Sequence, residues 1–402
     1  KRSLLYMVKF IHCADLHLDS PFKTHSHLSE NIYEDVKKST YESFKTLVNF
    51  ALQEEVDFIV IAGDVFDDHN RTLRAEVFLK EQFERLKKEQ IFVYMCHGNH
   101  DPLSDSVVTD WPENVSVFDK NVETYQTITK NGEKILLHGF SYQDHASYEN
   151  KLDEYPSSQG EKGLHIGVLH GTYSKSSTKH RYTEFRLEDL NSKLYHYWAL
   201  GHIHERQQIN DMPPTYYPGN IQGRHFNEMG DKGFLLVEGD EFKLNVEFVP
   251  SHFIRFDEIK IETKQTTKQG IYDVVQKFKN QVRKQGKAIY RVYLEIDSDE
   301  PVSSQDLMQV EAMLKEYEEN ENNFVFIESL IVSYKDDDTR PLEHEFSQEL
   351  KADDAIFTNA MSDLYLNPKA TKFLDNYDDF DKVELINRAE ALLKSGLRGE
   401  QS

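Results

Sequence analysis

Five short motifs rich in aspartate, histidine and glycine lie within the first 204 residues of this 402-residue chain. They are Asp15-Leu16-His17, Gly63-Asp64-Val65-Phe66-Asp67, Gly98-Asn99-His100-Asp101, His170-Gly171 and Gly201-His202-Ile203-His204. Each motif ends or follows an apolar, β-branched run that is typical of a buried strand. Ligands of layered α/β folds bind at the carboxyl ends of strands, so we expect the motifs to converge in space. Their mixed nitrogen and oxygen ligands suit two neighbouring first-row metal ions such as Mn²⁺, Fe²⁺ or Zn²⁺.

Histidine, charge and cysteine narrow the class of protein further. Sixteen of the 18 histidines precede residue 251, which indicates that one domain carries a metal or acid–base site. The net charge of −23 argues against a protein that coats nucleic acid, but it does not exclude a nucleic-acid enzyme. Two cysteines cannot form a disulfide scaffold, so we predict a cytoplasmic protein with Cys13 and Cys96 reduced. Every apolar run is too short to span a bilayer, so we expect no membrane partner.

The spacing of apolar residues predicts a layered first domain over residues 7–250. Strands at 8–14, 56–62 and 91–96 alternate with helices at about 34–54 and 72–88, an order that is typical of an α/β domain with buried strands. Short strands dominate from about 115 onwards. We therefore predict a sheet sandwich with helices outside.

The pattern changes near residue 250. A β-α-β-α-β arrangement predicts a compact second domain over residues 251–335. Residues 336–402 then begin with an acidic linker and contain two predicted helices, at about 346–364 and 379–395. The last helix carries an apolar stripe, which must be buried on its own domain or on another chain.

The five motifs together resemble the signature of the calcineurin-like metallophosphoesterases. The longer strings HCADLHLDSPF, AGDVFDD, WALGHIHERQ and YPGNIQGRHFNE resemble more closely the SbcD-type DNA repair nucleases and, within them, the bacterial YhaO exonuclease group. The resemblance covers the first 250 residues, and residues 251–335 match the family's small α+β cap domain in position and size only. It implies an α/β fold, the metallophosphoesterase sandwich of two mixed β-sheets flanked by helices.

The resemblance also implies a set of seven metal ligands. Asp15, His17, Asp64 and His204 would hold one ion, and Asp64, Asn99, His170 and His202 would hold the other. Asp64 would bridge the two, because its carboxylate presents one oxygen to each ion. The family pattern makes the ions divalent, with Mn²⁺ favoured.

Four further residues receive roles from the same pattern. His100 would be the acid–base residue beside the leaving oxygen, with Asp101 orienting its ring. Some relatives carry histidine where this chain has Asp67, and we expect Asp67 to support the site without binding a metal. Arg224 and His225 could contact a substrate phosphate or could equally pin their loop.

We therefore predict a Mn²⁺-dependent DNA nuclease of DNA repair, an exonuclease by preference, in which a metal-bridged hydroxide attacks the phosphodiester. Two alternatives stay open: a phosphoesterase acting on small phosphodiesters or cyclic nucleotides, and a partner-binding subunit with a vestigial site. The basic helix at 271–287 is either a phosphate-tracking surface or a solvated helix face. The resemblance implies a homodimer and a coiled-coil ATPase partner of the SbcC kind, held by the C-terminal helices.

Overall fold

The structure is a computed structural model, and it describes residues 8–22, 28–67, 72–105, 110–146, 151–174, 183–298, 300–318 and 321–335. The predicted linker and both predicted C-terminal helices lie outside these residues. No helix in the described ranges is long and apolar enough to cross a membrane.

Strands outnumber helices in the part of the chain that the structure describes. The strands are β1 (Val8–Cys13), β2 (Phe58–Ala62), β3 (Phe92–Cys96), β4 (Val115–Val117), β5 (Glu123–Ile128), β6 (Lys134–Gly139), β7 (Leu164–His170), β8 (Thr172–Tyr173), β9 (Glu184–Phe185), β10 (Tyr197–Gly201), β11 (Gln207–Asp211), β12 (Pro214–Tyr217), β13 (Gly233–Gly239), β14 (Leu244–Pro250), β15 (Ile254–Thr263), β16 (Lys287–Ile296) and β17 (Val325–Tyr334). The helices are α1 (Glu30–Gln53), α2 (Leu73–Lys88), α3 (Leu187–Asn191), α4 (Lys268–Val282) and α5 (Ser304–Glu316).

Two six-stranded mixed sheets form the first part of the structure. The first has the order β14-β13-β1-β2-β3-β4, and the second has the order β11-β12-β10-β7-β6-β5. In the first sheet, β1 to β4 run parallel to one another, and β13 and β14 add antiparallel pairs at one side. In the second sheet, β6, β7, β10 and β12 run parallel, and the edge strands β5 and β11 pair antiparallel. The predicted sandwich of two mixed sheets is confirmed.

Alternation along β2 shows how the layers are built. Phe58, Val60 and Ala62 belong to the core that joins the two sheets, where residues of both sheets pack together. Ile59 and Ile61 point the other way and pack with α1 and α2. Since successive side chains of a strand point to opposite faces, a strand buried on both faces needs the continuous apolar run seen here. This packing fixes the carboxyl ends of the strands, from which the site is built.

A separate three-stranded parallel sheet, β15-β16-β17, carries α4 and α5 and forms the predicted β-α-β-α-β unit. Thr267 and Ser303 cap the two helices by accepting hydrogen bonds from the backbone N–H groups of Gly270 and Asp306. Apolar residues of both helices and all three strands form one core.

Contacts divide the chain into two compact units. Of the residues that the structure describes, those within 8–21, 35–224 and 230–253 form unit 1, and those within 22–34, 225–229 and 254–335 form unit 2. Two short segments of the predicted first domain, Phe22–Glu34 and His225–Met229, thus group with the second unit.

Two cations of the basic helix are used inside unit 2. The Lys279 ammonium is buried, donates to the Leu314 carbonyl at 2.9 Å and pairs with the Glu318 carboxylate at 2.9 Å. Arg283 also pairs with Glu318, at 2.5 Å. Removing one partner of such a buried pair leaves an uncompensated charge, so these contacts are structural. They leave fewer cations on residues 271–287 for a phosphate-tracking surface.

His12 makes the stability of unit 1 sensitive to acid. Its buried ring bonds the Tyr197 hydroxyl at 2.9 Å and the Leu200 carbonyl at 3.0 Å. Burial lowers the pKa of His12 to about 3, although the Leu200 hydrogen bond opposes this. Because the folded state favours the neutral ring, its contribution to stability is complete above the unfolded pKa of about 6.5 and is lost as the pH falls towards 3.

Between pH 7 and pH 5, the free energy of unfolding of the unsubstituted protein should fall by about 2 kcal/mol more than that of His12→Gln. Glutamine offers one donor and one acceptor but does not titrate. Urea unfolding at the two pH values measures the difference. Equal losses in the two proteins would show that His12 does not titrate on unfolding in this range.

Candidate active site

Four predicted ligands have a left-handed backbone, in the turns that follow β1, β2 and β10. Asp15, His17, Asp64 and His202 have φ values of 52°, 42°, 50° and 104°. Residues with a side chain rarely adopt this region, and such strain gathers at functional sites. The turn that follows each strand therefore directs a polar side chain back across the strand ends.

Two glycines let these turns approach one another. A Cβ on Gly98 would overlap the Asp64 carboxylate and the His170 ring, and one on Gly201 would overlap the Ala62 carbonyl. The glycine in each of these motifs is therefore required by close approach at the site.

The first ligand group consists of Asp15, His17, Asp64 and His204, whose donor atoms all lie within 4.8 Å of one another. The Nε2 atoms of His17 and His204 are 3.0 Å apart, and His17 Nε2 is 3.8 Å from Asp64 Oδ2. The Asp15 carboxylate accepts the backbone N–H of His202 at 3.1 Å. These are the four residues that the resemblance assigns to one metal.

The second ligand group consists of Asp64, His170 and His202, again within 4.8 Å. Asn99 joins it, because Asn99 Oδ1 lies 3.0 Å from His170 Nε2 and 3.0 Å from His202 Nδ1. Asp64 belongs to both groups. The structure thus brings all seven predicted ligands together in two sets around one carboxylate.

The donor set fits divalent cations. Asp64 Oδ2 is buried without a hydrogen-bond partner in the described residues, although it lies 3.4 Å from His170 Nε2. Burial raises the pKa of Asp15 to about 6, against the opposing effect of His204 and His170. A second buried carboxylate beside it is costly unless cations compensate both. Imidazole nitrogens with carboxylate and amide oxygens are ligands that first-row divalent ions accept.

Burial and the neighbouring charges set the protonation of the site. Burial raises the pKa of Asp64, but the ring of His170 and other imidazoles have a larger opposite effect. The net result is a pKa well below the usual range of a carboxyl group. Burial lowers the pKa of His17 to about 4 and that of His202 to about 3. His17 and His202 are therefore neutral at pH 7, as metal binding requires. Burial opposes protonation of His170, but Asp64 raises its pKa to about 9, so a metal ion must displace a proton there.

His100 lies at the edge of this cluster. Its backbone N–H donates to Asp64 Oδ1 at 3.0 Å, and its side chain is 32% exposed. The ring is therefore anchored beside both ligand groups while part of it stays open to a substrate.

The Asp101 carboxylate contacts backbone amides and a neighbouring imidazole. Its carboxylate accepts the backbone N–H groups of Gly98, Val65 and Phe66 and lies 3.0 Å from His97 Nδ1. These bonds tie the carboxylate to its own loop and to the loop that follows β2. The carboxylate that lies near the His100 ring is that of Asp67, with 3.7 Å between His100 Nδ1 and Asp67 Oδ1. The backbone bonds place Asp101 in the turn that carries Asn99, and its role as the orienter of the His100 ring stays a prediction.

Arg224 and His225 have different surroundings. The Arg224 guanidinium is 3.7 Å from Asp67 Oδ2, donates to Ser20 Oγ at 3.0 Å and reaches His204 Nδ1 at 3.4 Å. His225 is about half exposed and lies 3.7 Å from Glu228 within unit 2. The substrate-binding role of both residues stays a prediction.

Sequence reasoning missed two residues that hold the ligand loops. Lys232 donates from Nζ to the His204 carbonyl at 2.9 Å, and His145 donates from Nδ1 to the Asn99 carbonyl at 2.8 Å. Both support the backbone of a predicted ligand. Neither belongs to a motif or stands near its ligand in the chain, so the sequence contains no signal for them.

This two-sheet fold and its shared-carboxylate site are those of a metal-dependent phosphoesterase, a hydrolase with a dinuclear divalent metal site. The chain belongs to the calcineurin-like phosphoesterase family, whose sequence profile matches residues 8–206. It is 41% identical to the uncharacterized metallophosphoesterase YhaO of Bacillus subtilis (strain 168) over 290 residues. The aligned residues cover 71% of this chain and 71% of YhaO. The predicted family and enzyme class are confirmed.

More distant relatives carry a more specific name. The chain is 26% identical over 279 residues to the DNA double-strand break repair protein Mre11 of Methanocaldococcus jannaschii, covering 65% of this chain and 72% of that protein. It is 24% identical over 326 residues to the protein of the same name from Sulfolobus acidocaldarius, covering 75% and 82%.

Proposed function

We propose that this protein is a Mn²⁺-dependent DNA nuclease that hydrolyses phosphodiester bonds, with exonuclease action favoured. The observation that carries the proposal is the pair of ligand groups that share Asp64. Two relatives named as DNA double-strand break repair proteins support DNA as the substrate.

The proposed roles of the residues follow from their surroundings. Asp15, His17, Asp64 and His204 hold one ion, and Asp64, Asn99, His170 and His202 hold the other. When bound there, divalent ions would neutralise charge on the phosphoryl group and lower the pKa of a water molecule. His100 is partly exposed and donates a proton to the departing sugar oxygen.

Hydrolysis of end-labelled DNA tests this function. We expect cleavage with Mn²⁺, weaker cleavage with Mg²⁺ and none with EDTA. Bis-p-nitrophenyl phosphate serves as a control for the phosphodiesterase chemistry alone. Metal-dependent turnover of that small diester without cleavage of single- or double-stranded DNA would overturn the nuclease proposal in favour of small substrates. Linear and circular DNA substrates separate exonuclease from endonuclease action.

We also propose that the protein works in DNA repair in the cytoplasm as a homodimer, together with an SbcC-like coiled-coil ATPase. The support is the similarity to the named repair proteins and the predicted apolar stripe of residues 379–395. In this proposal, residues 7–250 form the nuclease domain, residues 251–335 the cap and residues 336–402 the partner-binding tail.

Truncation after Asp338 tests the assignment of the tail. We expect metal-dependent cleavage of short DNA to survive, because every proposed ligand precedes residue 250. Co-purification with the ATPase should fail, since the apolar stripe would be missing. Partner binding that persists after truncation would exclude the tail as the docking segment.

A further inference from the structure

His145 lies in the loop that follows β6, outside all five motifs. Strand β6 pairs parallel with β7, so its carboxyl end lies at the same edge of the sheet as that of β7, where His170 stands. The exposed His145 side chain donates from Nδ1 to the Asn99 carbonyl at 2.8 Å. Because a carbonyl oxygen can only accept, this contact places a proton of the ring on Nδ1. A sixth strand end thus contacts the turn that carries Asn99 and His100.

The backbone of the same loop holds the two ends of that turn. The Tyr142 N–H donates to the His97 carbonyl at 3.1 Å, where the turn begins. The Leu103 N–H donates to the Tyr142 carbonyl at 2.9 Å, just after the turn ends. The His145 bond reaches the middle of the turn, at Asn99. It therefore restrains a peptide that these two backbone bonds do not contact.

The peptide between Asn99 and His100 is hydrogen-bonded on both sides. Its carbonyl accepts from His145, and its N–H donates to Asp64 Oδ1 at 3.0 Å. Since a peptide is planar, a bond that fixes the carbonyl also fixes the direction of the N–H. Hydrogen bonds on the two sides of one peptide also polarise each other. The His145 bond thus acts, through one peptide, on the carboxylate that both ligand groups share.

The same restraint acts on the buried Asn99 side chain. Asn99 Oδ1 lies 3.0 Å from His170 Nε2 and 3.0 Å from His202 Nδ1. A short side chain keeps this place only while its own backbone is held, because it has few bonds about which it can rotate to compensate for a shift.

We propose that His145 is a positioning residue that fixes the Asn99–His100 peptide and thereby places Asn99 Oδ1 and the Asp64 carboxylate for divalent metal ions. This role rests on the proposed function of Asn99 and Asp64 as metal ligands. A partner of this kind supports a ligand without contacting the metal, and its loss weakens metal binding by about 10- to 100-fold.

Two substitutions at His145 separate the hydrogen bond from the ring. His145→Phe keeps a ring of similar size but removes the donor. His145→Asn removes the ring but keeps an N–H donor on the atom bonded to Cγ, where Nδ1 stands in histidine. The side chain is exposed, so both variants should fold, and circular dichroism checks this.

In His145→Phe, calorimetry should show Mn²⁺ affinity weakened by about 10-fold, the lower end of that range, because backbone bonds still hold the ends of the turn. The backbone amide proton of His100 should move upfield in ¹⁵N–¹H correlation spectra of the metal-free protein, since its peptide loses a polarising hydrogen bond. In His145→Asn, both readouts should stay close to those of the unsubstituted protein.

Unchanged Mn²⁺ affinity and an unchanged His100 amide signal in His145→Phe would overturn the positioning role. Equal losses in the two variants would also overturn it, because the ring and not the hydrogen bond would then support the site. Neither readout depends on turnover. A protein that shows the expected pattern yet cleaves no DNA would therefore contradict the nuclease proposal and leave the role of His145 standing.

Discussion

Asp64→Asn is expected to lower kcat/KM for phosphodiester hydrolysis by about 10²- to 10³-fold, on the scale of losing a preorganised electrostatic group. Asp64 belongs to both ligand groups, and its Oδ2 faces His17 and His170. Asparagine keeps the size of the side chain and an oxygen that can accept the His100 backbone N–H. The loss should therefore come from the missing charge while the fold is retained.

Metal content and hydrolysis of bis-p-nitrophenyl phosphate, measured on the same preparations, check this expectation. Asp110→Asn makes the same change of charge at a fully exposed position and should retain both activity and metal. A variant at Asp64 that still binds two ions with unchanged affinity would show that this carboxylate does not bridge them.

His100→Asn is expected to lower kcat on DNA by about 10²- to 10⁴-fold while both ions stay bound, because proton transfer to the leaving oxygen is lost. The backbone N–H that donates to Asp64 is unaffected by the substitution. Nitrophenolate departs without protonation, so turnover of bis-p-nitrophenyl phosphate should fall much less than turnover of DNA. Comparing the two substrates at saturating concentration measures this difference.

An equal loss on the two substrates would contradict the proton-donor role of His100, and loss of an ion would make it a ligand. Circular dichroism and calorimetric metal titration of the variant separate these results from unfolding. The comparison needs no assumption about the polarity of cleavage.

Motifs at strand ends made the fold and the ligand cluster predictable from sequence. A turn such as Asp15-Leu16-His17 depends on one strand and the residues beside it, so its position follows once the strand is recognised. The convergence of Asp64 and His170 follows in turn, because parallel strands of one fold present their carboxyl ends at the same edge. Local pattern and topology predicted this convergence, whereas the set of seven ligands came from the resemblance.

The contacts of individual carboxylates were not predictable in this way. Asp101 stands beside His100 in the chain but turns towards backbone amides, whereas Asp67 reaches that ring from another strand end. The sequence pattern places Lys279 among the cations of a basic helix, but the structure buries its ammonium group against the Glu318 carboxylate. Side-chain direction depends on packing between distant segments, and sequence spacing does not record it.

The left-handed backbone at Asp15, His17, Asp64 and His202 has a consequence for laboratory evolution of this enzyme. Each of these residues costs about 1 kcal/mol relative to glycine at the same φ. A screen for heat resistance alone would therefore reward glycine at the ligand positions themselves. At these four residues, selection for stability favours glycine, whereas selection for activity favours the ligand side chain. A thermostability screen must therefore measure turnover in every round to retain the site.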